Sequence, residues 1–213
     1  MGARSRPPLE PRKKPVQARS AVTVATISEA TIQVLLSLGA DQLTTTRVAE
    51  RAGVSVGTLY QYFPNKHALL FSVLQQHLNR VADAVESACR ENRGERLATM
   101  VEAVVRAFVD AKMARADISM ALYAIAAGRE EAALVKKTGK RAQVALASML
   151  ATAPDATFND LSFTSFLVFS AMGGVMRAIL EGGAPPGMVP SLRKQLGLLC
   201  RGFLMSVAVS SGD

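Results

Sequence analysis

Apolar side chains recur at helical spacing along almost the whole chain, and the alternation that marks a strand is nearly absent. Residues 19–38 place Val24, Ile27, Thr31, Val34, Leu35 and Leu38 on one face, with Gly39 positioned to end the helix. Residues 65–92 repeat the stripe after Pro64 through Leu70, Leu74, Leu78, Val81 and Val85. The run from Arg90 to Gly94 breaks it, and helices are then expected over 95–112, 116–127 and 130–152. Two strongly apolar helices follow, over 158–181 and 189–209, separated by a Gly/Pro-rich loop at 182–187. The pattern predicts an all-α protein.

Residues 44–63 break the rhythm of long helices. Thr44 suits the N-cap of a short helix ending near Arg51, and Ser55 suits the cap of a second over 56–63. Between them Gly53 supplies the positive φ that a tight turn needs, and Val54 fills the space between the helices. Ala49, Val54 and Leu59 have the spacing that locks two crossing helices together. Leu59 and Phe63, four apart, turn inward, so Tyr60, Gln61 and Tyr62 cannot all be buried. At least one tyrosine is pushed outward, where its hydroxyl can donate to a phosphate. So short a helix with so many polar and aromatic groups suits a groove lined by phosphates and base edges. There Gln61 can bond adenine, Thr58 can meet a phosphate or a thymine methyl, Val56 offers only apolar contact, and Gly57 permits close approach.

Thr45, Arg47, Val48, Ala49, Ala52, Gly53, Val54, Ser55, Gly57, Thr58, Leu59, Tyr60, Tyr62, Phe63, Asn65 and Lys66 form one ungapped motif. It resembles the DNA-binding head of TetR-family transcriptional regulators. The resemblance covers about sixty residues with the preceding helix; the rest of the chain is similar only in length and helicity. Residues 1–18, basic and holding four prolines, read as a disordered tail; the resemblance implies a three-helix head over 19–80 with its helix-turn-helix at about 44–63, and a ligand-binding and dimerisation body over 81–213. Both Tyr60 and Tyr62 become expected DNA contacts, with Ser55, Val56, Gly57, Thr58 and Gln61 beside them. Thr44, Thr45 and Thr46 are expected to bring hydroxyls and backbone N–H groups to the other strand. Arg47 either meets a phosphate or pairs with Glu50. Lys66 opens a helix, where the dipole disfavours a cation unless a phosphate binds at the same end; a solvated lysine is the plainer alternative. His67 stands where the family often has an acid and reads as a surface residue.

Charge sharpens this picture. The formal net charge is +8, and residues 1–20 hold six cations against Glu10 alone. Over 21–67, Arg47, Arg51 and Lys66 balance Glu29, Asp41 and Glu50. The basicity is therefore largely a Pro-rich tail, either a solubilising leader or a transient phosphate contact; the motif downstream favours contact. The leader has no apolar segment behind its charges, so no signal peptide is expected. The stretch 161–180 tempts a membrane reading, but Asp160 and Arg177 bracket only sixteen residues, short of the roughly 20 a span needs. A cytoplasmic chain outside the membrane is expected. Cys89 and Cys200, distant and outside any metal-ligand spacing, fit a reducing compartment and buried apolar roles. With two histidines, no Gly-rich phosphate loop and no nucleophile constellation, neither an enzyme nor a metal or cofactor is expected.

The body is rich in Met and Phe, adaptable linings for a cavity. Most of these side chains read as ordinary core, but the resemblance implies a pocket for a small hydrophobic effector. Phe108, Met120, Tyr123, Phe166 and Met176 are the candidate lining. The two apolar terminal helices need covering on several sides, and a second copy of the chain is the simplest partner. Gly173, Gly174 and Gly197 would permit close approach in a four-helix dimer interface. The expected function is a ligand-responsive repressor, homodimeric on a palindromic operator in double-stranded DNA. The alternative is an architectural or scaffolding DNA-binding protein whose body takes a protein partner.

Overall fold

The computed structural model describes residues 18–125, 128–182 and 188–209. Residues 1–17 and 183–187, which hold nearly all of the expected basic tail and most of the expected loop, lie outside them. The helices are α1 (Ala18–Gln42), α2 (Thr45–Ala52), α3 (Val56–Tyr62), α4 (Lys66–Glu91), α5 (Leu97–Met113), α6 (Ala116–Ile125), α7 (Arg129–Leu150), α8 (Leu161–Gly182) and α9 (Met188–Val207). No strand occurs among the described residues; the one extended pairing is an antiparallel bridge between Thr157 and Val209. The all-α expectation holds.

The chain divides into two compact units. One comprises the residues up to His77 with Ala121–Glu131; the other comprises Leu78–Met120 and the residues from Ala132 onward. α4 contributes residues to both. In the first unit α1 buries Ile27, Thr31, Val34 and Leu35, while Leu38, expected on the same face, is 41% exposed. The helix ends its straight run just after Leu38, at Gly39. This glycine adopts φ 78, which kinks the helix before its last turn runs on to Gln42 and delivers the fully buried Leu43. A side-chain pair ties α1 to α4, with Gln76 Nε2 donating to Ser28 Oγ at 2.9 Å.

Two starts in the second unit differ from the sequence expectation. α5 begins at Leu97 rather than near 95, and its N-cap residue Arg96 makes no side-chain cap. The cap comes from the distant Asp155, whose Oδ1 accepts from Leu97 N at 2.8 Å. That bond, helped by the nearby Arg96 and opposed by burial, holds the Asp155 carboxyl below its ordinary range. α8 begins at Leu161 rather than near 158, because Asp160 Oδ1 accepts from Phe163 N at 2.8 Å and acts as its cap. The core is built from Met100, Val104, Phe108, Leu146, Met149, Met172, Met176 and Leu204. Phe108 meets Phe169 edge to face at 5.6 Å, a contact of about 0.5–1.5 kcal/mol beyond its burial. Arg141 of α7 reaches three residues of α4, donating to Asn79 at 3.1 Å and to Asp83 and Glu86 at 2.8 Å each.

Length alone does not separate α1 or α8 from a membrane span: Ser20–Gln42 and Leu161–Gly182 are both long and apolar enough. The sixteen-residue count was too strict, since Arg177 sits on an exposed flank and the helix runs past it. α8 is divided into faces. Thr164, Ser165, Val168, Met172, Met176 and Leu180 are buried, whereas Phe163 and Phe166 face outward.

Lys112, near the end of α5, is 8% exposed, and burial lowers its amine from the ordinary 10.5 to about 8. Below about pH 8 the amine is charged in folded and unfolded chains alike, so its titration leaves stability unchanged there. Between pH 8 and 10.5 the folded chain sheds the proton first, and stability rises with pH. The stability gap between the parent and a Lys112→Met chain should therefore shift in the parent's favour from pH 7 to pH 10. Denaturant midpoints at the two pH values measure it; a gap that does not change with pH would contradict it. Both cysteines are buried, and desolvation pushes Cys89 up to about 12 and Cys200 up to about 11, as inert core thiols require.

Candidate nucleic-acid interface

The surface is assembled by caps. Thr44 Oγ1 accepts from Arg47 N at 3.3 Å and starts α2. Gly53, at φ 66, ends that helix by donating its N–H to Glu50 O, and Val54 N donates to Ala49 O at 3.0 Å. Ser55 Oγ then accepts from Thr58 N at 3.0 Å and shares a 2.8 Å bond with Thr58 Oγ1. Each such cap is worth about 1 kcal/mol, a large share of what holds helices of eight and seven residues. Packing supplies the rest: Val48, Ala49, Leu59 and Phe63 are buried to 1% exposure or less.

With those four side chains inward, the remainder of the motif turns out. Thr44, Thr46, Arg47, Ser55, Val56, Gly57, Gln61 and Lys66 are exposed; Thr45, Thr58 and Tyr62 are half-buried. Tyr60 is 43% exposed, and its hydroxyl lies 3.1 Å from Thr45 Oγ1. This bond joins the start of α2 to the middle of α3, so the two stretches expected to approach DNA share one surface. A Cβ at Gly57 would meet only Ser55 Oγ at 3.7 Å, an ordinary contact. Nothing among the described residues requires glycine there.

Three features were not visible in the sequence. Arg47 does not pair with Glu50: its Nη1 donates to Gln42 O at 2.6 Å. Arg51 is held by Gln33 of α1 at 2.5 Å, a contact between residues eighteen apart. His67 is a surface residue as expected, yet its Nε2 lies 3.1 Å from Oε1 of Glu131, a carboxylate only 3% exposed. Gly128 makes room for that carboxylate, since a Cβ there would fall 2.0 Å from Oε2. Asn65, already part of the motif, proves to be the α4 cap, its Oδ1 accepting from Ala68 N at 2.8 Å.

The body residues are more dispersed. Phe108 and Met176 are buried, whereas Met120 is 53% exposed and Phe166 48% exposed. Phe166 stacks on Phe163 at 6.4 Å on the outer side of α8, away from Val168 and Met172, so it does not join the interior. Tyr123 is half-buried in the first unit, with Ala121–Glu131, and the other four lie in the second. Gly174 is exposed and Gly173 half-buried on α8, while Gly197 faces a groove beside α5. No group of three His, Cys, Asp or Glu that could hold a metal ion occurs among the described residues.

Residues 21–73 match the family described as bacterial regulatory proteins, tetR family, and residues 97–204 match the tetracyclin repressor-like C-terminal domain. The chain belongs to the TetR family of transcriptional regulators, whose members are DNA-binding proteins and not enzymes. It is 36% identical over 81 residues to the HTH-type transcriptional repressor KstR of Rhodococcus jostii, a match covering 38% of each chain. It is 40% identical over 63 residues to the HTH-type transcriptional activator FasR of Mycolicibacterium smegmatis, covering 30% of this chain and 28% of the relative. These matches thus span well under half of the relatives' lengths. The fold is similar to that of the fatty acid degradation regulator FadR of Bacillus halodurans, with a TM-score of 0.69 at 20% identity over 90% of this chain and 97% of that one.

Proposed function

We propose that this regulator is a ligand-responsive repressor that acts in the cytoplasm as a homodimer on a palindromic operator. The observation that carries the reading is the surface made by α2 and α3, where the buried residues leave Tyr60, Gln61 and Lys66 exposed and Tyr60 bonded to the half-buried Thr45. Gln61 and Val56 are positioned to read base edges, and Thr44, Thr46, Ser55, Thr58, Tyr62 and Lys66 to meet phosphates. Gly57, not needed for internal packing, lets the helix approach the DNA backbone. Homodimerisation is supported by the exposed apolar faces of α8 and α9, which a single chain leaves uncovered. The repressor sense follows the KstR similarity, against which stands one relative named an activator. A small hydrophobic effector fits the Met- and Phe-rich core, and two relatives are named for fatty acid metabolism or degradation.

Footprinting on DNA flanking the protein's own gene tests this, repeated with a panel of hydrophobic compounds. One discrete palindromic footprint, released by a compound, is expected. By linkage, operator DNA must then weaken that compound's binding by the same factor. A diffuse footprint that no compound releases would favour the architectural alternative.

A further inference from the structure

We infer that the groove between α5 and α9 binds a soluble amphiphilic anion, at a site separate from that of the hydrophobic effector. The groove encloses about 440 Å³, within the range of roughly 300–1,000 Å³ that small-molecule sites occupy. Ala98 and Gly197 supply the concavity from opposite sides, small residues where longer ones would fill it. Its apolar surface comes from Val101, which is buried, and Leu198, which is 55% exposed. None of the five residues named for the effector lines it.

Charge identifies the occupant. Arg106, Lys194 and Arg201 line the groove, all exposed, and none has an ion pair among the described residues. Arg193 also lines it but is already engaged, its Nε donating to Asp110 Oδ1 at 2.6 Å. Glu102 is the single acid in the lining. Three free cations around one concavity repel each other, and low-dielectric walls focus their field into it. An anionic head between Arg106 and Arg201 removes that repulsion, while an apolar body covers Leu198 and Val101. An inorganic anion leaves the apolar wall wet, and an apolar cation meets the wrong field.

Titration calorimetry of the full chain with decyl phosphate, kept below its micelle-forming concentration, tests the inference. Saturable binding of one molecule per chain is expected. Inorganic phosphate should bind at least about tenfold more weakly, and decyltrimethylammonium should not bind. An Arg106→Ala/Arg201→Ala chain should lose at least about tenfold in affinity for decyl phosphate. Ala98→Leu, half-buried on α5 and outside the helices proposed for dimerisation, should lose as much by filling the groove. Equal affinity in the parent and both variants would place the anion elsewhere and overturn the inference, as would equal binding of the ammonium or no saturable binding. Binding to phosphatidylglycerol vesicles without binding to decyl phosphate would overturn it too, making the patch a lipid-surface contact. Arg106 and Arg201 belong neither to the DNA-reading surface nor to the apolar faces proposed for dimerisation, so operator affinity of the Arg106→Ala/Arg201→Ala chain reports on the repressor reading independently.

Discussion

A Gly174→Asp chain is expected to sediment as a monomer and to bind its operator at least about a hundredfold more weakly than the parent. The outer side of α8 carries Phe163 and Phe166, 57% and 48% exposed, with the exposed Gly174 two turns further along. α9 leaves Leu199 and Met205 more than half exposed. On the proposed homodimer reading, apolar surface gathered on neighbouring helices to this extent is what the second copy covers. A carboxylate set into it must be desolvated without a partner, which costs several kcal/mol when two copies close on one another. The single chain is spared: a Cβ at Gly174 meets nothing within 4 Å. Operator affinity should fall with the dimer, because one half-site offers only half of the contacts and none of the chelation. Gly173→Asp, half-buried on the same helix, is the companion variant. A Gly174→Asp chain that remains dimeric would move the interface to another face.

The helices were legible because their apolar stripes are strong, and the reading surface because its residues are local. Thr44, Gly53 and Ser55 act on groups within a few residues, so spacing alone reveals them. The start of α5 was not legible, since its cap is Asp155, fifty-eight residues away in the chain. The same holds for Arg51 with Gln33 and for His67 with Glu131: neither partner announces itself by spacing. In the body, composition named the right residue types but not their faces. Phe166 and Phe108 are both aromatic residues on apolar helices, yet one faces solvent and the other the core. When most of a helix's circumference is apolar, periodicity no longer says which side is inside. The groove beside α9 escaped for a related reason, because it needs Arg106 and Arg201, ninety-five residues apart, on adjoining helices.

The second large effect belongs to the reading surface. Tyr60→Ala and Lys66→Ala should each weaken operator binding by about tenfold or more while leaving the thermal midpoint nearly unchanged. Both side chains are exposed, so truncation opens no cavity in the core; Tyr60 gives up only its 3.1 Å bond to Thr45. The two losses should differ in kind. Lys66 is a point charge at the start of α4, where the Asn65 side chain already caps the helix and leaves the ammonium free to meet a phosphate. Removing it should reduce the slope of log affinity against log salt by about one, with the same proportional loss on operator and non-specific DNA. Tyr60 carries no charge, so Tyr60→Ala should lower affinity with the slope intact. Lys66→Arg should keep the parent slope. Filter binding of the four chains across a salt series makes the comparison. An unchanged affinity and slope in Lys66→Ala would remove Lys66 from the contacts, and a Tyr60→Ala chain with full affinity would leave its hydroxyl as a brace for Thr45 alone.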